Sequence, residues 1–182
     1  MTRVLGLDPG SRRTGFGLVE RSGNAFRCLH HGVAAPSARL DLPHRLHAIA
    51  RRVGEVIDET RPDCVAIEEA YYHESVRSTL VLGHVRGALI VAVLQRGLEV
   101  AEYSPREIKL SVTGTGAAGK EQVAFMVRRL LGLRGELATD ASDALAIALC
   151  HHHRLQRAVV RRGAVTAAAR GLEALLARRT AR

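Results

Sequence analysis

Four acidic residues offer this chain its most distinctive chemistry. Asp8 stands at the end of the apolar run Val4–Leu7, and Glu68 at the end of a second run, Cys64–Ile67. Asp140 and Asp143 open an apolar helical segment at i, i+3 spacing, which puts both on one helix face. If the two runs are parallel neighbouring strands, Asp8 and Glu68 emerge side by side on one edge, where helix packing can deliver the other two. Carboxylates so close repel one another, and the usual remedies are arginines or oxygen-preferring divalent cations, Mg²⁺ or Mn²⁺. Two such ions about 4 Å apart activate an attacking water and stabilise the leaving oxygen of a phosphodiester. Each acid alone has a plainer reading: Asp8 as a turn residue, Asp140 as a helix cap, Asp143 as a first-turn acid, Glu68 as an exposed side chain. The case for a site rests on their joint position.

Other side chains invite weaker hypotheses. Arginine supplies 25 of the 27 basic residues, so Lys109 and Lys120 stand out as places for a compact, movable ammonium. Gly114–Lys120, GTGAAGK, fits the frame of a phosphate-binding loop, but Glu121 stands where Ser or Thr would hold Mg²⁺ and the segment follows a helical pattern. A glycine-rich loop that positions Lys120 is the better account. His151, His152 and His153 follow Cys150, yet consecutive helical residues point about 100° apart and do not share one ion, so solvated helix-end histidines are expected. Cys28, Cys64 and Cys150 are odd in number and widely spaced, which fits small core residues better than a disulfide framework or zinc site.

The elements that must position these groups are legible in the pattern. Val4–Leu7, Thr14–Glu20 and Ala25–Val33 read as an antiparallel meander divided by Asp8-Pro9-Gly10-Ser11 and Ser22-Gly23-Asn24. Leu42–Thr60 has apolar residues at helical spacing behind a capping Asp41, with Pro43 early enough to be tolerated. A buried strand at Cys64–Ile67, a helix at Ser78–Arg96 and a strand at Leu98–Tyr103 follow. Ser104-Pro105-Arg106-Glu107 has capping-box spacing, Lys120–Leu131 is helical, and a last helix runs from Ala141 to about Arg154. This order predicts an α/β fold, a five-stranded mixed sheet with two parallel connections and flanking helices.

A chain of 182 residues with 47% hydrophobic content suffices for one compact domain. We expect it over residues 1–155, with 156–182 a basic Ala/Arg-rich tail. The net charge of +9 favours a polyanionic partner, but residues 154–182 carry eight arginines against Glu173, hence +7 of it. The preceding chain keeps only +2, so it must bind through local patches or a specific site. With no uninterrupted apolar run of about 18 residues and no leader-like start, a soluble, cytoplasmic protein is expected.

LGLDPGSRRTGFGLV (Leu5–Val19), AIEEAYY (Ala66–Tyr72) and TDASDALAIA (Thr139–Ala148) resemble the RuvC family of Holliday-junction resolvases, colinearly over about residues 4–153. The resemblance implies a ribonuclease H-like fold and a bacterial, divalent-metal-dependent endonuclease that cuts four-way junctions symmetrically in recombination and repair. It implies that Asp8, Glu68, Asp140 and Asp143 ligate two ions, Mg²⁺ or Mn²⁺, and that Lys109 and Lys120 contact phosphate or support the transition state. Tyr71 falls where the family places an aromatic residue that stacks on a base, often Phe. The resemblance further implies a homodimer working with the RuvA and RuvB branch-migration machinery. The Ser78–Arg96 helix, with Gly83, Gly87, Leu80, Leu82, Val85 and Leu89, is the candidate dimer contact. Competing readings are a ribonuclease H-like nuclease without junction preference, a non-catalytic junction-binding protein, and an actin-like ATPase, for which the chain is too short.

Overall fold

The computed structural model describes residues 1–69 and 75–158. Met1–His151 form one compact unit. Strand β1 (Thr2–Asp8) pairs antiparallel with β2 (Thr14–Ser22), which pairs antiparallel with β3 (Ala25–Ala34). The β1–β2 turn is pinned by the buried Thr14, whose hydroxyl donates to the Gly10 carbonyl at 2.8 Å and accepts from the Gly10 N–H at 3.3 Å.

Helix α1 (Leu42–Thr60) crosses from the meander to β4 (Cys64–Glu68), which lies parallel to β1. Asp41 caps α1 by accepting from the His44 N–H at 3.0 Å, and Arg61 ends it in the left-handed region at φ 47°. Helix α2 (Val76–Leu94) makes the second crossover, to β5 (Val100–Tyr103), parallel to β4. The sheet order is β3-β2-β1-β4-β5. Helices α3 (Pro105–Thr113), α4 (Lys120–Leu131) and α5, helical over residues 139–158, complete the described chain. The expected capping box is present on α3: the Glu107 N–H donates to Ser104 Oγ at 3.3 Å and the Ser104 N–H to Glu107 Oε2 at 3.0 Å.

Strand alternation divides the core in two. On one face Leu5, Leu7, Phe16, Leu18, Val65 and Ile67 pack against Ile49, Val53 and Val56 of α1 and Val85, Leu89 and Val93 of α2. On the other, Val4, Val19, Ala66 and Tyr103 meet α3, α4 and α5 through Ile108, Val123, Val127, Leu145 and Leu149. Helix α5 approaches the sheet backbone closely there. A Cβ on Gly6 would lie 1.9 Å from the Ala144 carbonyl oxygen, and one on Gly15 1.9 Å from that of Asp140. Glycine is required at both by this approach, which carries the first turn of α5 over the end of β1.

Three expectations are corrected. Helix α2 starts at Val76 behind a Ser75 cap and ends at Leu94, and β5 starts at Val100, because Gly97 turns the chain at φ 72°. Within α2, Val85 and Leu89 point into the core and Leu82 is partly buried, so of the apolar residues assigned to a dimer contact only Leu80 is exposed. The outward stripe is instead Val76, Leu80, Gly83, Gly87, Val91 and Leu94, at spacings of three or four. Apolar on both sides, α2 is the one helix among the described residues long and apolar enough to cross a membrane, with a mean hydropathy of 1.4. Finally, His151 is not a solvated helix-end residue: α5 continues past it, and its Nδ1 lies 2.7 Å from the buried Tyr103 hydroxyl. The three cysteines are free and sit in or against the core.

Candidate active site

The site is built at the carboxyl ends of the two central parallel strands. Leu7 lies opposite Ile67, so the next residues, Asp8 and Glu68, are level with each other. Both follow the alternation that sends Gly6 and Ala66 to the α5 side. Asp143 reaches the same place from the first turn of α5, Lys109 from α3, and Lys120 from the first residue of α4. Together Asp8, Glu68, Asp143, Lys109 and Lys120 line a recess of about 270 Å³ whose remaining wall is apolar, including Ile108, Val123 and Ile147.

Electrostatics mark this as the most strained charge arrangement described in the molecule. Burial, followed by the fields of Glu68, Asp143 and Asp140, pushes the Asp8 carboxyl up to about 8, against the pull of Lys120. Glu68 is raised by burial and by Asp143, with Lys120, a hydrogen bond to Asp8 and Lys109 acting the other way. Asp143 is raised by burial, opposed chiefly by Lys120. Without a metal, Asp8 is driven toward its protonated form near neutral pH, with Glu68 as its hydrogen-bond partner. Two ammoniums are thus insufficient for three half-buried carboxyls, and a hard divalent cation with carboxylate ligands fits the remaining deficit.

Asp140 stands apart from the other three. Its Oδ2 accepts from Arg13 Nε at 2.7 Å, and it does not line the recess. Among the described residues no three His, Cys, Asp or Glu side chains are already disposed to ligate one ion. Tyr71 lies outside the described residues. The glycine-rich segment before Lys120 links α3 to α4 instead of following a strand, which leaves the NTPase frame without its context. Sequence reasoning missed Arg13; its signal was a second arginine in the turn directly after Asp8, but its aim toward a residue 127 positions away was not legible.

The sheet order, the helices on both faces and an acidic recess at the carboxyl edge define a nuclease-type protein of the ribonuclease H-like fold. The family model described as crossover junction endodeoxyribonuclease RuvC matches residues 4–151. The chain belongs to the RuvC family. It is 47% identical over 153 residues to the RuvC of Hyphomonas neptunium, covering 84% of this chain and 92% of that one. It is 48% identical over 151 residues to the RuvC of Bordetella avium, covering 83% of each. The structure of T. thermophilus RuvC in complex with a Holliday junction substrate superposes with a TM-score of 0.81 at 35% identity, covering 87% of this chain and 97% of that one.

Proposed function

We propose that this chain is a structure-selective endonuclease of the bacterial cytoplasm that resolves four-way DNA junctions by symmetric, divalent-metal-dependent hydrolysis. The observation that carries the reading is one recess holding Asp8, Glu68 and Asp143 beside Lys109 and Lys120, in a member of this family. Asp8, Glu68, Asp140 and Asp143 are the ligands in this proposal, with Asp140 released from Arg13. Two ions, Mg²⁺ or Mn²⁺, would lower the pKa of the attacking water and offset charge on the leaving oxygen.

The chain's own groups supply the rest. Lys109 and Lys120 face the carboxylates and hold the scissile phosphate over them as mobile point charges. The apolar wall limits water around the reacting group, which strengthens those charges. Tyr71, in the family's aromatic position, would stack on a base at the junction, worth about 1–3 kcal/mol. The exposed apolar stripe of α2 is the proposed homodimer contact, which sets two sites on symmetric strands. Cooperation with RuvA and RuvB belongs to the same reading. The nuclease domain is taken as residues 1–155, with the basic tail 156–182 outside it.

The test is cleavage of a labelled four-way junction beside a matched linear duplex, in Mg²⁺ and in Mn²⁺, by the wild type and Asp143→Asn. Paired incision of the junction alone, lost in the variant while binding survives, is expected. Equal cutting of both substrates would remove junction selectivity from the proposal, and binding without cutting in either metal would remove catalysis.

A further inference from the structure

Glu68 has a second recess on its other side. A groove of about 670 Å³ runs between the β1–β2 turn and the first turns of α1 and α2, and Arg12, Arg45 and Arg77 line it together with Glu68. None of the three arginines forms an ion pair among the described residues. The Nε of Arg45 is shut off from solvent and has no hydrogen-bond acceptor among the described residues. Among the described residues the acids in reach are Glu68, which is needed in the neighbouring recess, and Asp41, whose Oδ1 is taken by the His44 N–H and ring and which forms no ion pair with Arg45.

A guanidinium donor buried without an acceptor is costly, and such groups in native proteins have a partner supplied by protein, solvent or ligand. Three unpaired forks facing one groove match the geometry of phosphate oxygens, which a guanidinium engages through two parallel N–H bonds. The groove and the lysine-lined recess share Glu68 as a common wall.

We propose that Arg12, Arg45 and Arg77 form a second phosphate seat, which binds the backbone of the strand being cut at a phosphate next to the scissile one. The seat rests on the reading of junction DNA as substrate and adds to it a positioning device independent of the carboxylates and lysines. Arginine holds the neighbouring phosphate in a fixed orientation, and the mobile lysines attend the phosphate that changes charge and shape.

The experiment measures equilibrium binding of a labelled four-way junction by the full chain in Ca²⁺, for the wild type, Arg45→Gln, Arg77→Gln and Arg21→Gln. Arg21, at the opposite end of the sheet beside Thr2, is the control. Each groove variant is expected to weaken binding about tenfold and to reduce the log–log salt slope by about one per lost phosphate contact. A single neutral methylphosphonate on the cut strand, next to the scissile position, should weaken the wild type about as much and cause no further loss in the groove variants. Full additivity at every flanking phosphate, or coupling on the uncut strand alone, would overturn the proposal. So would an unchanged salt slope in Arg77→Gln, an exposed position whose substitution leaves the fold intact. If the wild type does not bind the junction at all, the underlying functional reading fails with it; if it binds with a slope indifferent to both arginines, only the seat fails.

Discussion

Strand β2 carries two different designs on its alternate faces. Phe16 and Leu18 point toward α1 and α2, where large branched side chains fill the space between sheet and helices. Gly15 and Gly17 point toward α5 and supply almost no volume, and α5 answers with Ala141, Ala144 and Ala148 at the buried surface. The first face gains stability from the area it removes from water. The second lets two backbones approach, and the separation between Asp8 and Asp143 is set by that approach instead of by side-chain length. Burial of bulk therefore holds the fold, while small residues set the geometry of the acids.

Substitutions on the two faces should separate these roles. Gly15→Val is expected to have the largest effect, because any Cβ there meets the Asp140 carbonyl oxygen and the start of α5 must move. A displacement of roughly 1 Å can cost about 100-fold in rate. Single-turnover junction cleavage, measured well below the melting temperature, should fall by about that factor or more. Near wild-type cleavage would show that α5 does not set the site through this contact.

Leu18→Ala, three residues along the same strand, should do the reverse. Leu18 is buried at 2% exposure, and its truncation is expected to destabilise the protein by about 2–5 kcal/mol. Denaturant unfolding checks that loss. Cleavage below the transition should stay within about threefold of wild type, since rigid α5 contacts lie on the opposite face. A proportionate loss of cleavage would mean that the two faces are not separable.

Much of this arrangement was legible in the sequence, for physical reasons that differ by element. The strand ends at Asp8 and Glu68 follow from short apolar runs closed by turn residues, and Lys120 as the first residue of α4 from the glycine-rich loop before it. The capping box of α3 is a local signal and was readable as such. The inward direction of Val85 and Leu89 was not, because α2 is apolar on both sides and its periodicity does not choose a face. Nor was the division between Asp140 and Asp143. Their spacing places both on one helix face, but only the docking of α5 puts Asp143 in the recess and Asp140 against Arg13.

A smaller effect separates catalytic need from folding preference within the acidic recess. The Asp8 carboxyl has its ordinary range in the unfolded chain and sits at about 8 in the fold, so between about pH 4 and pH 8 the native state binds the extra proton. Metal-free stability therefore falls as pH rises through that window and levels off above it. The raised Glu68 and Asp143 carboxyls act in the same direction. Asp8→Asn should abolish cleavage yet raise the melting temperature in chelator at pH 8.5 by about 2–4 °C for each kcal/mol relieved, with little change at pH 4.5. A destabilised variant at the higher pH would mean that the attraction of ionised Asp8 to Lys120 stabilises the fold more than burial and repulsion cost.

Arg13→Ala should have the smallest effect on stability. Its pair with Asp140 is half open to water, with Arg13 at 54% and Asp140 at 27% side-chain exposure, and such pairs are worth about 0–1 kcal/mol. The melting temperature in chelator should accordingly move by less than about 3 °C. Its consequence lies elsewhere: Arg13 is a cation already bound to the acid proposed as the fourth ligand, and a metal must displace it. Removing it should tighten Mn²⁺ binding, read as a lower half-saturation by electron paramagnetic resonance of the free ion, and should do so most at low ionic strength, where the competing guanidinium is least screened. Weaker binding would reverse the assignment and make Arg13 a support that orients Asp140 toward the ion.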